Sequence, residues 1–246
     1  MSLNNVSVVL VHGAWADGSS WSKVIGPLQA EGVRVVAAPL PLTSLADDVA
    51  ALDRTLERID GPVVLVGHAY AGAVIAATRS EKVRSLVYVA ALAPDEGETV
   101  ADVFYRAAPH PQAPLLAPDR DGVVWLPEHA FAEAFAQHAS TEEQALLAAV
   151  QRPIAAACIG VAVGRPLWKD LPSWFLVAEQ DRMINPDTQR FMAERMKAKV
   201  RSHAVDHAPI VTAPGAVAEI IRDAMRATVN NLPTPIDMVT SQGDPQ

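Results

Sequence analysis

The sequence predicts an α/β protein with about six mostly parallel strands flanked by helices. Three observations carry this expectation. Short apolar runs such as Val6 to Val11, Val63 to Val66 and Val83 to Ala90 lack the alternation of a half-exposed strand and read as strands buried on both faces. The first runs are each separated by a turn and a segment of helical period, and βαβαβαβ order folds as a parallel sheet with helices on both faces. Finally, 50% of the 246 residues are hydrophobic, enough for a sizeable core. Length alone leaves open one large domain or two small ones.

The elements follow in order. After the Val6 to Val11 strand, His12-Gly13-Ala14-Trp15-Ala16-Asp17-Gly18-Ser19-Ser20 is a glycine-bearing loop whose last serine is placed to cap a helix beginning near Trp21. Gly32 closes that helix, and Val33 to Ala38 form a second strand stopped by Pro39-Leu40-Pro41. Ser44 caps a helix whose Leu45, Val49, Leu52, Leu56 and Ile59 fall on one face. Gly61-Pro62 ends it. Val63 to Val66 then run through a turn of small residues, Gly67 to Gly72, into a helix reaching about Ser80, and Val83 to Ala90 give a fourth strand.

Between Ala93 and about Leu171 the pattern changes. Five prolines fall between Pro94 and Pro118, helical stretches follow around Glu128 to His138 and Thr141 to Ala149, and no buried strand is evident. We read this as an insertion over the sheet's carboxyl edge, bringing Phe104, Tyr105, Trp125, Phe131, Phe135 and Trp168 to an apolar site or to its own core. Ser173 to Ala178 resume the sheet. A helix near Asp187 to Lys197, a strand near Lys199 to Val205 and a helix near Pro214 to Thr228 complete it. Residues 1–92 and 172–228 are thus expected to form the core, 93–171 a lid or cap, and 229–246, rich in Pro, Asn and Thr, a flexible tail.

A net charge of −8 without a run of Lys or Arg argues against nucleic acid or an anionic membrane as the main partner and leaves a small molecule as the default. A single cysteine, Cys158, allows no internal disulfide and fits a reducing compartment; in the run Ala155-Ala156-Ala157-Cys158-Ile159 it reads as a small buried hydrophobe. With no basic segment before the first strand and no apolar stretch of spanning length, the expected location is the cytoplasm. Oligomeric state is not readable.

In an open parallel sheet ligands bind outside the carboxyl ends of the strands. Four such ends carry Ala14, Ala69, Asp181 and His207. The last three follow the order nucleophile position, acid, histidine. Gly67-His68-Ala69-Tyr70-Ala71-Gly72 resembles the nucleophile elbow of α/β-hydrolases, with Ala71 for a glycine and Ala69 for the serine. Val9-Leu10-Val11-His12-Gly13-Ala14 and Val64 to Tyr70 are similar to segments of small single-domain esterases, including plant salicylate-type methyl esterases and their hydroxynitrile lyase relatives. The resemblance covers nearly the whole chain except the tail. It implies the α/β-hydrolase fold, a lid after the fourth strand, and a site without cofactor. In that site Asp181 is the acid and His207 the base, and the amides of Ala14 and Tyr70 hold an oxyanion. Glu179 and Asp187 are rivals to Asp181, and His203 to His207.

His203 and His207 have the spacing of a metal pair, but that spacing converges on a helix and this segment reads as strand then loop, so no metal is expected. His12 and His68 read as hydrogen-bonded scaffold. Trp15, Phe104, Trp125 and Trp168 are candidate pocket residues, and Arg106, Arg152 or Arg165 could reach in and select a carboxylate. Ala69 limits the activity: a methyl group cannot attack a carbonyl. Three readings stay open. One is an ester or lactone hydrolase scaffold acting on a small apolar substrate with its nucleophile replaced. The second is an enzyme that naturally uses His207 as base without a serine, as a lyase or by activating water. The third is a ligand-binding pseudoenzyme.

Overall fold

The computed structural model describes residues 5–231. Among these described residues eight strands and nine α-helices run in the order β1 (Ser7–Val11), α1 (Ser22–Ala30), β2 (Arg34–Ala38), α2 (Leu45–Glu57), β3 (Val63–His68), α3 (Ala71–Ala77), β4 (Val83–Val89), α4 (Val100–Phe104), β5 (Val123–Val124), α5 (Glu128–Ala130), α6 (Thr141–Val150), β6 (Ile154–Ala155), β7 (Ser173–Ala178), α7 (Pro186–Arg195), β8 (Lys199–His203), α8 (Pro209–Thr212) and α9 (Pro214–Asn230). Six of the strands form one sheet in the order β2-β1-β3-β4-β7-β8, every pair parallel. β1, β3 and β7 are buried at every residue, which is why their sequences are continuous apolar runs. The edge strands β2 and β8 are partly exposed and carry arginines.

The chain leaves β1 toward β2 and returns past it to β3, so the direction of winding reverses between β1 and β3. Right-handed crossovers then place α1 on one face and α2 and α3 on the other. α9 packs beside α1, joined by the Arg222–Glu31 ion pair. The reversal makes the carboxyl ends of β1 and β3 the crevice of the sheet.

Several local expectations are corrected. The first helix does not start on a Ser20 cap: Asp17 caps a short 3-10 turn, Gly18–Trp21, and α1 follows at Ser22. α3 stops at Ala77, with Thr78 already extended. The segment 93–171 contains a two-strand antiparallel ladder, β5 with β6, whose two-residue strands are too short to register as apolar runs. Its expected Glu128 to His138 helix is the single turn α5 followed by a π-helical turn, Phe131–Phe135, which buries Phe131 and Phe135. Val229 and Asn230, expected in the tail, belong to α9, and the rest of the tail from residue 232 lies outside the described residues.

Candidate active site

The turn from β3 to α3 is built on Ala69, which has φ 52°. An L-residue in this left-handed region costs about 1–2 kcal/mol, and non-glycine residues held there are found where surrounding structure fixes them. Here three backbone bonds do so: the Ala69 amide donates to the Val89 carbonyl at 3.3 Å, and its carbonyl accepts from Gly72 at 3.1 Å and Leu92 at 2.9 Å. The neighbours must be small. A Cβ on Gly72 would collide with the Leu92 carbonyl, one on Gly67 would lie 2.9 Å from the Ala71 carbonyl oxygen, and one on Gly13 would lie 2.9 Å from both the Ala69 Cβ and the His68 oxygen. The loops after β1 and β3 therefore touch at the crevice.

Opposite them, the loop after β7 supplies Asp181 and the loop after β8 supplies His207, both buried. His207 Nδ1 lies 2.8 Å from Asp181 Oδ2. Asp181 Oδ1 accepts the amides of Met183 at 2.7 Å and Ile184 at 2.9 Å, and Oδ2 also accepts Gln189 Nε2 at 2.8 Å. A carboxylate fed by donors on both oxygens acts as an acceptor, so Nδ1 carries the proton and donates it to Asp181, which leaves Nε2 as the basic nitrogen. The His207 ring is packed by Phe135, 5.2 Å away between centroids, and its carbonyl accepts His68 Nε2 at 2.7 Å. Burial lowers the His68 pKa to about 3, so that imidazole stays neutral.

Ala14, Trp15, Ala69, Tyr70 and His207 line one cavity of about 170 Å³, closed from above by residues of the 93–171 segment, among them Val100, Phe104, Leu116 and Ile159. Among the described residues the amides of Ala14 and Tyr70 have no acceptor within the protein, whereas the next amide, Trp15, donates to the Arg152 carbonyl at 2.9 Å. Trp15 has φ 55° and is tied at its indole too, Nε1 donating to the Val124 carbonyl at 3.0 Å. The Tyr70 hydroxyl is turned to Asp48 Oδ2, 2.7 Å away. Burial raises the pKa of Asp48, that of Tyr70, and that of neighbouring Cys158 to about 12; the thiol is a weakly acidic, buried group.

The expected residues are thus brought together in part. Ala69, Asp181, His207, Ala14, Tyr70, Trp15 and Phe104 converge on the crevice. Trp125 does not: it is 52% exposed and lines no wall of the cavity. Trp168 is buried elsewhere, its indole donating to the Pro94 carbonyl at 3.4 Å. Both were read as pocket residues because an aromatic in a lid has no periodic neighbours to orient it. The arginines expected to reach inside do not line the cavity either: Arg106 lies over Phe191 at 3.5 Å, Arg165 pairs with Asp170, and Arg152 faces a different groove. Of the rivals, Glu179 pairs with Arg190, and Asp187, in the first turn of α7 behind its Asn185 cap, pairs with the same arginine. His203 ends β8, so it and His207 do not share a helical face. His12 is scaffold, Nε2 accepting the Leu40 amide at 3.0 Å and Nδ1 donating to the Gly13 carbonyl at 2.9 Å.

Two residues escaped the sequence reading. Gln189 orients Asp181 and also accepts the Ala178 amide at 3.0 Å through Oε1. Asp48 holds Tyr70 and the Leu42 amide. Each is a polar residue in the buried phase of its helix, Gln189 with Met192 and Ala193, Asp48 with Leu45 and Leu52. A polar side chain interrupting an apolar stripe was the available signal.

The profile of the Alpha/beta hydrolase family matches residues 8–220, nearly the whole described chain. The chain belongs to this family. Among its relatives, a carbendazim hydrolyzing esterase of Nocardioides sp. (strain SG-4G) is 30% identical over 116 residues, which span 41% of this chain and 48% of that protein. Methylesterase 8 of Arabidopsis thaliana is 24% identical over 233 residues, 84% of each chain. A pyrethroid hydrolase from Sphingobium faniae JZ-2 has the same fold at 22% identity, with a TM-score of 0.75 over 92% of this chain and 99% of that one. Among the described residues of this hydrolase, no helix is long and apolar enough to cross a membrane.

Proposed function

We propose that this α/β-hydrolase carries an esterase-type site for a small, neutral, largely apolar carboxylic ester or lactone, and that Ala69 occupies the seat of its nucleophile. The observation that carries the reading is the left-handed backbone at Ala69, fixed by three backbone bonds, which sets its side chain at the head of the crevice in the same cavity as His207. The esterase names of the two relatives by sequence agree with it. An all but apolar wall without a lining cation favours an uncharged ligand.

With a hydroxyl at position 69, Nε2 of His207 takes its proton as the oxygen attacks the substrate carbonyl. Asp181 stabilises the imidazolium and the amides of Ala14 and Tyr70 receive the oxyanion; collapse of the tetrahedral intermediate breaks the ester C–O bond, the departing alcohol takes the proton back from Nε2, and the neutral histidine then activates water to cleave the acyl-enzyme and release the acid. Without that hydroxyl no acyl-enzyme forms. Losing a nucleophile costs on the order of a million-fold in kcat, so the chain as it stands binds such esters and hydrolyses them poorly.

The test is hydrolysis of p-nitrophenyl acetate and butyrate by the parent chain, Ala69→Ser, and Ala69→Ser combined with His207→Ala. The reading expects a gain on the order of a thousand-fold or more in the first variant and its loss in the second. A folded Ala69→Ser variant with no gain counts against it. One observation favours a second reading: the Asp181–His207 pair retains its full set of donors in a chain with no serine to serve. Turnover by the parent chain that depends on His207 and is unchanged by Ala69→Ser would assign His207 as a base acting directly on substrate or water. Ligand binding without turnover in any variant would identify a pseudoenzyme.

A further inference from the structure

Behind the loop that carries Ala14 and Trp15, along the exposed edge of β2, lies a second groove of about 730 Å³ that the hydrolase site does not use. Arg34, Arg54, Arg58 and Arg152 line it, and no carboxylate does, in a chain with 28 acidic residues against 20 basic ones. Among the described residues none of the four guanidiniums makes an ion pair, whereas Arg165, Arg190, Arg195, Arg201 and Arg222 all do. The Arg34 guanidinium has one partner, the Arg58 carbonyl at 3.3 Å. Four exposed cations around one concavity repel one another, and in an acidic protein this arrangement is the opposite of what net charge alone would produce. Between them the wall is apolar, with Val36, Pro39 and Ile59, and the Thr55 hydroxyl is engaged with the Ala51 carbonyl at 3.1 Å.

We propose that this groove is a second ligand site and that it takes a small phosphorylated molecule carrying at least two negative charges. Guanidinium forks match phosphate oxygens in pairs, which surface lysines do not. The apolar wall accommodates a ring or chain attached to the phosphate. The site stands apart from the hydrolase cavity and does not depend on the reading of Ala69. It adjoins that cavity's loop, since the Arg152 carbonyl accepts the Trp15 amide and the Leu40 amide donates to His12.

The experiment is isothermal titration of the full chain with pyrophosphate, ATP and adenosine, at low salt and at about 0.15 M salt. It is repeated on Arg54→Gln/Arg58→Gln and on Arg120→Gln/Arg226→Gln, a control pair that removes the same charge outside the groove. The proposal expects saturable one-to-one binding of pyrophosphate or ATP that weakens at least tenfold in the groove variant and less than threefold in the control, with both variants folded by circular dichroism. ATP binding much tighter than pyrophosphate identifies a nucleotide as the source of the phosphate, and equal binding a free polyphosphate. Absence of saturable binding, equal loss in both variants, or binding of adenosine but not pyrophosphate overturns it. So does binding confined to phosphatidylglycerol vesicles or to a single-stranded oligonucleotide.

Discussion

Replacing Asp48 with alanine is expected to destabilise the fold by about 3 kcal/mol. The carboxylate is fully buried, its Oδ1 accepting the Leu42 amide at 2.7 Å and its Oδ2 the Tyr70 hydroxyl at 2.7 Å. Leu42 itself is held at φ 60°, a conformation that needs such a tether. Alanine leaves the Leu42 amide and the Tyr70 hydroxyl without an acceptor, at about 1–3 kcal/mol each, and also removes the partner of the weak Cys158 thiol donor at 3.7 Å, partly offset because a carboxylate whose pKa burial has raised no longer has to be desolvated. Asp48→Asn separates these terms. Its oxygen keeps the Leu42 amide while its amide donates to the Tyr70 oxygen, so only the Tyr70 hydroxyl proton loses its acceptor and the cost should be about half that of alanine, about 1–2 kcal/mol.

The sign of the pH effect follows from the raised folded pKa: the folded state holds the proton more tightly than the unfolded chain, so Asp48 costs stability as pH rises through the carboxylate range. The cost of Asp48→Asn relative to the parent should therefore shrink as pH rises through that range and then level off. Urea unfolding followed by circular dichroism, at equal m-values, measures all three chains. An alanine variant within about 0.5 kcal/mol of the parent, or an asparagine variant as costly as alanine, would refute the argument.

Two further outcomes can be measured on the same apparatus. Gly72→Ala should destabilise by about 3 kcal/mol or more, because its Cβ meets the immobile Leu92 carbonyl and forces the Ala69–Leu92 hydrogen bond apart; a soluble variant of parental stability would contradict the packing of the elbow. His68, with its pKa lowered from 6.5 to about 3, contributes stability that is present above 6.5 and lost as pH falls toward 3, amounting to about 2 kcal/mol at about pH 5. His68→Gln should remove that proton-linked loss, and parallel pH curves for parent and variant would count against it.

Much of this architecture was legible because buried parallel strands leave continuous apolar runs, and because the residues after each run are the ones a crevice uses. Val63 to Val66, the small-residue turn behind them, and the order Ala69, Asp181, His207 needed no tertiary information. What was not legible depended on partners distant in sequence. Trp125 and Trp168 could not be oriented, since a segment with short strands and a π turn has no period to tell an inward residue from an outward one. Gln189 and Asp48 required knowing which helix face met which loop. The groove at β2 joins arginines from a strand, a helix and a loop more than 90 residues away, so their convergence is a property of the fold alone.

The central claim, that position 69 is a nucleophile's seat served by His207, is tested most directly by covalent labelling. Ala69→Ser is treated with a fluorophosphonate and the modified peptide identified by mass spectrometry. The account predicts one adduct per chain at position 69, absent from the parent and abolished by adding His207→Ala. A variant that is folded by circular dichroism yet takes no label, or takes it elsewhere, would contradict it.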